Sequence, residues 1–96
     1  MKQANSEDGW WRFLESCREI NTVTELNEFF KLFLTIEERN DIATRWLIVR
    51  DLLSGQKTQR EMADDLQVSI AKITRGSNSL KEIGENLRSF LMNNIK

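Results

Sequence analysis

Apolar residues recur along this chain at intervals of three and four, the spacing of one face of an α-helix, and the stretches between them are short. Residues 1–9, MKQANSEDG, are polar and without period, and read as a flexible N-terminal arm whose Ser6, Glu7 and Asp8 can start a helix. The first predicted helix runs from about Trp10 to Ile20, with Trp10, Phe13, Leu14 and Cys17 on one stripe. Thr-x-x-Glu boxes at Thr22/Glu25, Thr35/Glu38 and Thr58/Glu61 then mark three further helix starts, each offering side-chain oxygens to unpaired amides. The helix behind the first box, TELNEFFKLFL, has almost no polar face, so its burial is expected, inside the domain or across a subunit boundary. The next, Ile36 to Leu53, carries Ile42, Ala43, Trp46, Val49 and Leu53 at helical spacing and is stopped by Ser54-Gly55. After Gln59 to Leu66 and a turn at Gln67-Val68-Ser69 comes a helix from Ile70 to about Ile83. Gly84 breaks it, and Leu87, Phe90, Leu91 and Ile95 form a last stripe.

These elements predict an all-α fold, with residues 10–96 as a single helical domain. The absence of proline and the presence of only four glycines agree with it. A 96-residue chain buries a modest share of its surface, which favours a dimer.

Helix, three-residue turn and helix at about 58–83 form a helix-turn-helix pattern. Met62 and Leu66 face inward, Ala63 is small at the crossing, Val68 plugs the turn and Ile73 anchors the second helix. Gln67 stands where such turns favour a left-handed residue, and a side chain there costs roughly 1 to 2 kcal/mol. The exposed start of the second helix carries Ile70, Ala71, Lys72 and Thr74, with Arg60 opening the first. An arginine can read guanine, and Ala, Ile or a Thr methyl can lie on the thymine methyl. Alternatively, Ile70 and Ala71 pack against a neighbour and Arg60 pairs with Asp64.

Net charge is −1, but residues 57–81 hold Lys57, Arg60, Lys72, Arg75 and Lys81 against Glu61, Asp64 and Asp65, a local +2. Histidine is absent and Cys17 is the single cysteine, which leaves enzyme and zinc readings without their usual groups. Cys17 reads as a small hydrophobe. No apolar run reaches the roughly 20 residues of a bilayer span, so no membrane role and a cytoplasmic location are expected.

The stretch ITRGSNSL, residues 73–80, is unusual for a helix. Arg75 has no acidic neighbour one turn away, whereas Arg45 has Asp41 and with it the alternative of a surface ion pair. Gly76 costs about 1 kcal/mol against alanine and marks a close approach to the backbone. Arg75, Gly76 and Ser79 together suggest a site for a small anionic ligand.

LTIEERNDIATR (34–45), the QRE start at Gln59 to Glu61 and ITRGSNSLK (73–81) resemble the tryptophan repressor family, along a match from Trp10 to about Leu91. The resemblance implies a six-helix protomer in an intertwined homodimer and an L-tryptophan-dependent DNA-binding repressor of tryptophan metabolism genes, not an enzyme. It further implies no cofactor beyond L-tryptophan as co-repressor, and operator DNA as partner. The ligand ring would lie between Arg45 and Arg75, with Arg75 also on its carboxylate. Carbonyls of Leu32 and Leu34 would take its ammonium, with Thr35, Ser79 and Val49 around it and room made by Gly76. Gln59, Arg60, Ile70, Ala71, Lys72, Thr74 and Lys81 would face DNA. Lys72 stands where the family usually has threonine, beside both pocket and phosphate, and is expected on a phosphate; Ala63 replaces a lysine. Trp46 replaces a smaller aliphatic, as a pocket residue or, by its spacing, a core residue. The reading from a different class is an all-helical protein-interaction module without DNA binding, using the apolar second helix.

Overall fold

The computed structural model describes residues 5–95. These form six helices in order: α1 (Ser6–Arg18), α2 (Val23–Phe33), α3 (Ile36–Ser54), α4 (Gln59–Leu66), α5 (Ile70–Glu82) and α6 (Glu85–Asn94). Most boundaries follow the local stop and start signals. The exception is α1, which begins at Ser6 and not near Trp10. Asn5 caps it by accepting the Asp8 backbone N–H at 2.8 Å, and Glu7 and Asp8 sit at the positive end of its dipole. Ser6–Gly9 of the expected arm are therefore helical, while residues 1–4 lie outside the described residues.

The chain falls into two compact units, residues up to 37 and residues from 38 onward. In the first, Phe13 of α1 meets three rings of α2, Phe29 at 5.4 Å, Phe30 at 5.9 Å and Phe33 at 5.3 Å between centroids. Trp10 stacks on Phe13 from its own helix at 5.7 Å. Yet no residue of α1 or α2 is buried: Leu32 is 78% exposed, and Cys17 is only half-buried. The apolar α2 is not enclosed by its own chain.

The second unit is built around Ile48 of α3, Met62 of α4 and Ile73 of α5, which are fully or almost fully buried. Leu52, Ala63, Leu66 and Val68 pack around them, so the expected helix-turn-helix core assembles with α4 against α5. On α3 the spacing points Ile42, Ala43 and Trp46 inward, but the structure leaves all three exposed and buries Ile48 and Asp51. The reason is that α3 carries apolar residues around its whole circumference, and its period alone does not choose a face.

The turn between α4 and α5 has the predicted left-handed residue, Gln67, at φ 55 and ψ 49. The Val68 N–H reaches back to the Ala63 carbonyl at 3.1 Å, closing the end of α4. The Gln67 amide donates to the Asp64 carbonyl at 2.7 Å, which offsets part of the conformational cost. Thr58 caps α4 in a complete reciprocal box, its hydroxyl accepting the Glu61 N–H at 3.1 Å and its own N–H meeting Glu61 Oε1 at 2.9 Å. Ser69 caps α5, and Arg88 latches α6 to the end of α5 by donating to the Leu80 carbonyl at 2.6 Å.

Two outcomes follow for stability. Gln67→Gly removes the left-handed penalty of roughly 1 kcal/mol and loses one exposed hydrogen bond, so its net effect is a modest rise in melting temperature. An unchanged or lower value in a thermal scan contradicts this. Glu61 is held below the usual carboxylate range, first by the Thr58 N–H and then by its hydroxyl. A depressed pKa contributes stability that is complete above the ordinary value of 4.5 and is lost as pH falls through the folded value. Denaturant midpoints measured across an acid titration should therefore fall less steeply for Glu61→Gln than for the unmodified chain.

Candidate functional site

Within the second unit, α3 and α5 line a cleft of about 620 Å³. Helical spacing explains its walls. On α3, Ile42, Arg45 and Val49 stand three or four residues apart; on α5, Lys72, Arg75, Gly76 and Ser79 do the same. Leu80 and Ile83 continue the α5 side, and Leu91 and Ile95 close one end. The lining is largely apolar and also holds Asp41, Thr44 and the cations. Such a lining suits a ligand with a flat apolar body and a charged tail.

Of the residues expected to hold a ligand, Arg45, Val49, Arg75, Gly76 and Ser79 meet in this one cleft. Leu32, Leu34 and Thr35 belong to the first unit, at the C-terminal end of α2 and just before α3. The end of α2 presents carbonyls at the negative pole of that helix, suited to an ammonium group. Ile42, Thr44, Ile48 and Leu80 also line the cleft without having been expected there; Ile42 and Ile48 stand three residues either side of Arg45, the spacing that finds them, whereas Thr44 and Leu80 simply adjoin Arg45 and Ser79. Nothing local in α6 marks Leu91 or Ile95.

Neither arginine is spent on a neighbour. Among the described residues Arg75 forms no ion pair, and the alternative pairing of Arg45 with Asp41 does not form. Trp46 is not a core residue: it is 45% exposed, lines the cleft, and has the Arg50 guanidinium 5.8 Å from its ring centroid. Gly76 is explained first by its own chain. A Cβ there would lie 3.0 Å from Ile48 Cγ2 and 3.7 Å from Leu52 Cδ1, so the missing side chain sets how closely α5 approaches α3.

The other face of the helix-turn-helix is open. Gln59, Arg60, Ala71, Lys72, Thr74 and Lys81 are exposed, and Ile70 is 48% exposed, not packed away. The Thr74 hydroxyl donates to Gln59 Oε1 at 3.3 Å, joining two residues expected on DNA. Arg60 does not pair with Asp64, and Lys72 and Lys81 have no ion pair among the described residues. Lys57 is different. Its ammonium lies 2.9 Å from Asp65 and 3.7 Å from Asp51, and the hydrogen bond to Asp65 leads in raising its pKa. Lys57 therefore adds nothing to the basic face, which rests on Arg60, Lys72 and Lys81.

A family model described as Trp repressor protein matches residues 8–95. The chain is similar to the Trp operon repressor homolog of Chlamydia caviae, at 52% identity across 97% of this chain and 92% of that protein. The corresponding protein of Chlamydia trachomatis serovar D is 46% identical, with coverage of 93% and 95%. That of Photobacterium profundum is 32% identical, covering 91% and 84%.

The Gly76 contact has a measurable consequence. Alanine gains up to about 1 kcal/mol of helix propensity but must displace the buried Ile48, an overpacking cost of about 1 to 3 kcal/mol. Gly76→Ala should thus lose stability, by about 1 kcal/mol. In urea unfolding at one protein concentration, the Gly76→Ala/Ile48→Ala pair should lose less than the sum of its two single changes. Strict additivity would show that the Ile48 contact is not the reason for the glycine.

Proposed function

This chain belongs to the Trp repressor family, and from that premise we propose that it is an L-tryptophan-dependent, DNA-binding transcriptional repressor that works as a homodimer in the cytoplasm. Trp repressors are transcription regulators, which is not an enzyme class. One observation carries the reading: α5 walls the cleft with Arg75, Gly76 and Ser79, and its other side presents Ile70, Ala71 and Thr74 to solvent. Ligand and DNA would meet the same helix.

In this reading Arg45 and Arg75 flank the indole, and Arg75 also holds the carboxylate through its guanidinium fork. Their freedom from ion pairs supports this, because no existing partner must be given up. Val49 and Ser79 complete the cleft side, while the carbonyls of Leu32 and Leu34, with Thr35, receive the ammonium. On the DNA side, α4 braces α5 in a major groove, a geometry for which this family is itself a standard example. Gln59, Arg60, Ile70, Ala71 and Thr74 supply base or backbone contacts, and Lys72 and Lys81 supply positive charge.

The homodimer is supported by surface the chain leaves bare. Trp10, Trp11, Leu32, Phe33, Ile42 and Phe90 are each more than half exposed, large apolar side chains that a partner surface would cover. A second copy covering it would join residues 10–96 into one helical domain and set the two α5 helices at a fixed spacing. No helix among the described residues is long and apolar enough to cross a membrane.

Ligand control requires tryptophan to prefer the DNA-competent arrangement, and the preference is reciprocal. Titrating the purified chain onto palindromic operator-type DNA should show binding at least about tenfold tighter with L-tryptophan than without it. Arg75→Ala should remove the difference. Equal affinity in all three conditions would overturn the co-repressor mechanism.

A further inference from the structure

Arg45 and Arg75 do not exhaust the positive charge of the cleft: Lys72 lines the same cavity, against Asp41 as the one carboxylate of its lining. Lys72 has no ion pair among the described residues. On α5 it lies one turn before Arg75 and Gly76 and two turns before Ser79, so these residues share a face. Thr74, two positions on, is turned roughly 200° away. The Lys72 backbone N–H is already used on the Ser69 hydroxyl at 3.3 Å, which leaves the ammonium as its free group.

The charge is also placed against its own helix. Helices α1, α2, α4 and α6 each carry an acidic residue in the first turn, where the dipole is positive. Helix α5 has none there and has Lys72 in its place. A cation at this end is repelled by the dipole, so its presence beside a cavity costs stability unless an anion arrives to meet it.

Resting on the co-repressor reading, we propose that Lys72 is a ligand-side specificity residue: its ammonium gives the carboxylate of an aromatic amino acid a second anchor beside Arg75. The cleft then discriminates by carboxylate and not by ring alone. This changes the place of Lys72 from the phosphate contact expected of it to the inner wall of α5, with the reading of bases left to Thr74 and its face.

Calorimetric titration of the full chain with L-tryptophan and with indole, which lacks the carboxylate, tests the assignment. Lys72→Met should weaken L-tryptophan about fivefold, the effect of losing one largely exposed ion pair, and leave indole unchanged. Lys72→Arg should keep the unmodified affinity. Unchanged L-tryptophan binding in Lys72→Met overturns the proposal, and so does an equal loss for both ligands. A ligand-free operator titration separates the alternative. A salt slope about 0.9 shallower in Lys72→Met, with L-tryptophan affinity intact, assigns the residue to a phosphate. If the unmodified chain binds no L-tryptophan, the co-repressor reading itself fails and this inference with it.

Discussion

The approach of α5 to α3, fixed by Ile48 against the bare backbone of Gly76, governs the rest of the second unit. Ile48 is nearly fully buried, packs with Met62 and Ile73, and also lines the cleft. One side chain therefore belongs to the helix-turn-helix core and to the cleft wall. A close-packed interior transmits a displacement instead of absorbing it. Anything that pushes on the cleft side of Ile48 or Gly76 acts on the position of α5, which on the proposed reading is how a ligand here would influence the opposite face of α5.

Charge is arranged with the same economy. Asp51 is 5% exposed and sits near the negative end of α3, where both burial and dipole disfavour a carboxylate. Arg50 approaches one of its oxygens at 3.0 Å; the other has no hydrogen bond and faces Lys57 at 3.7 Å. Lys57 in turn reaches Asp65, so a chain of alternating charges ties α3 through the turn to α4. The structural cations are consumed in this way, while those of the cleft and of the α4–α5 face stay free. Counting charges along residues 57–81 cannot separate the two kinds; the partners of Lys57 do.

Most of the helices were legible because their signals are local: a threonine and a glutamate three residues apart, a glycine after a helix, a turn residue forced left-handed. The start of α1 was misjudged because Asn5, Ser6 and Asp8 are all good caps within four positions, and only geometry shows which accepts the amide. The inward face of α3 was misjudged because an all-round apolar helix has no preferred side. In the cleft, Arg75, Gly76 and Ser79 were legible from the ITRGSNSL stretch itself, whereas Arg45 and Val49 were named through the family resemblance. Lys72 was legible as standing beside both pocket and phosphate, but which of the two its ammonium serves depends on how α5 is rotated against α3. Leu91 and Ile95 enter through the folding back of α6, which no local signal encodes.

The bare apolar surface adds a constraint of its own. Among its described residues the first unit has an aromatic cluster around Phe13 but none that is fully buried, and each ring contact there contributes about 1 kcal/mol. Helices of 13 and 11 residues are marginal in water without tertiary cover. In the proposed dimer that cover is a second chain, which makes folding of the first unit depend on protein concentration. The same burial fixes the spacing of the two α5 helices. On the proposed reading, two half-sites would be read only by the assembled dimer, so assembly would be a precondition for DNA recognition, and the ligand would act on an arrangement that dimerisation had already set.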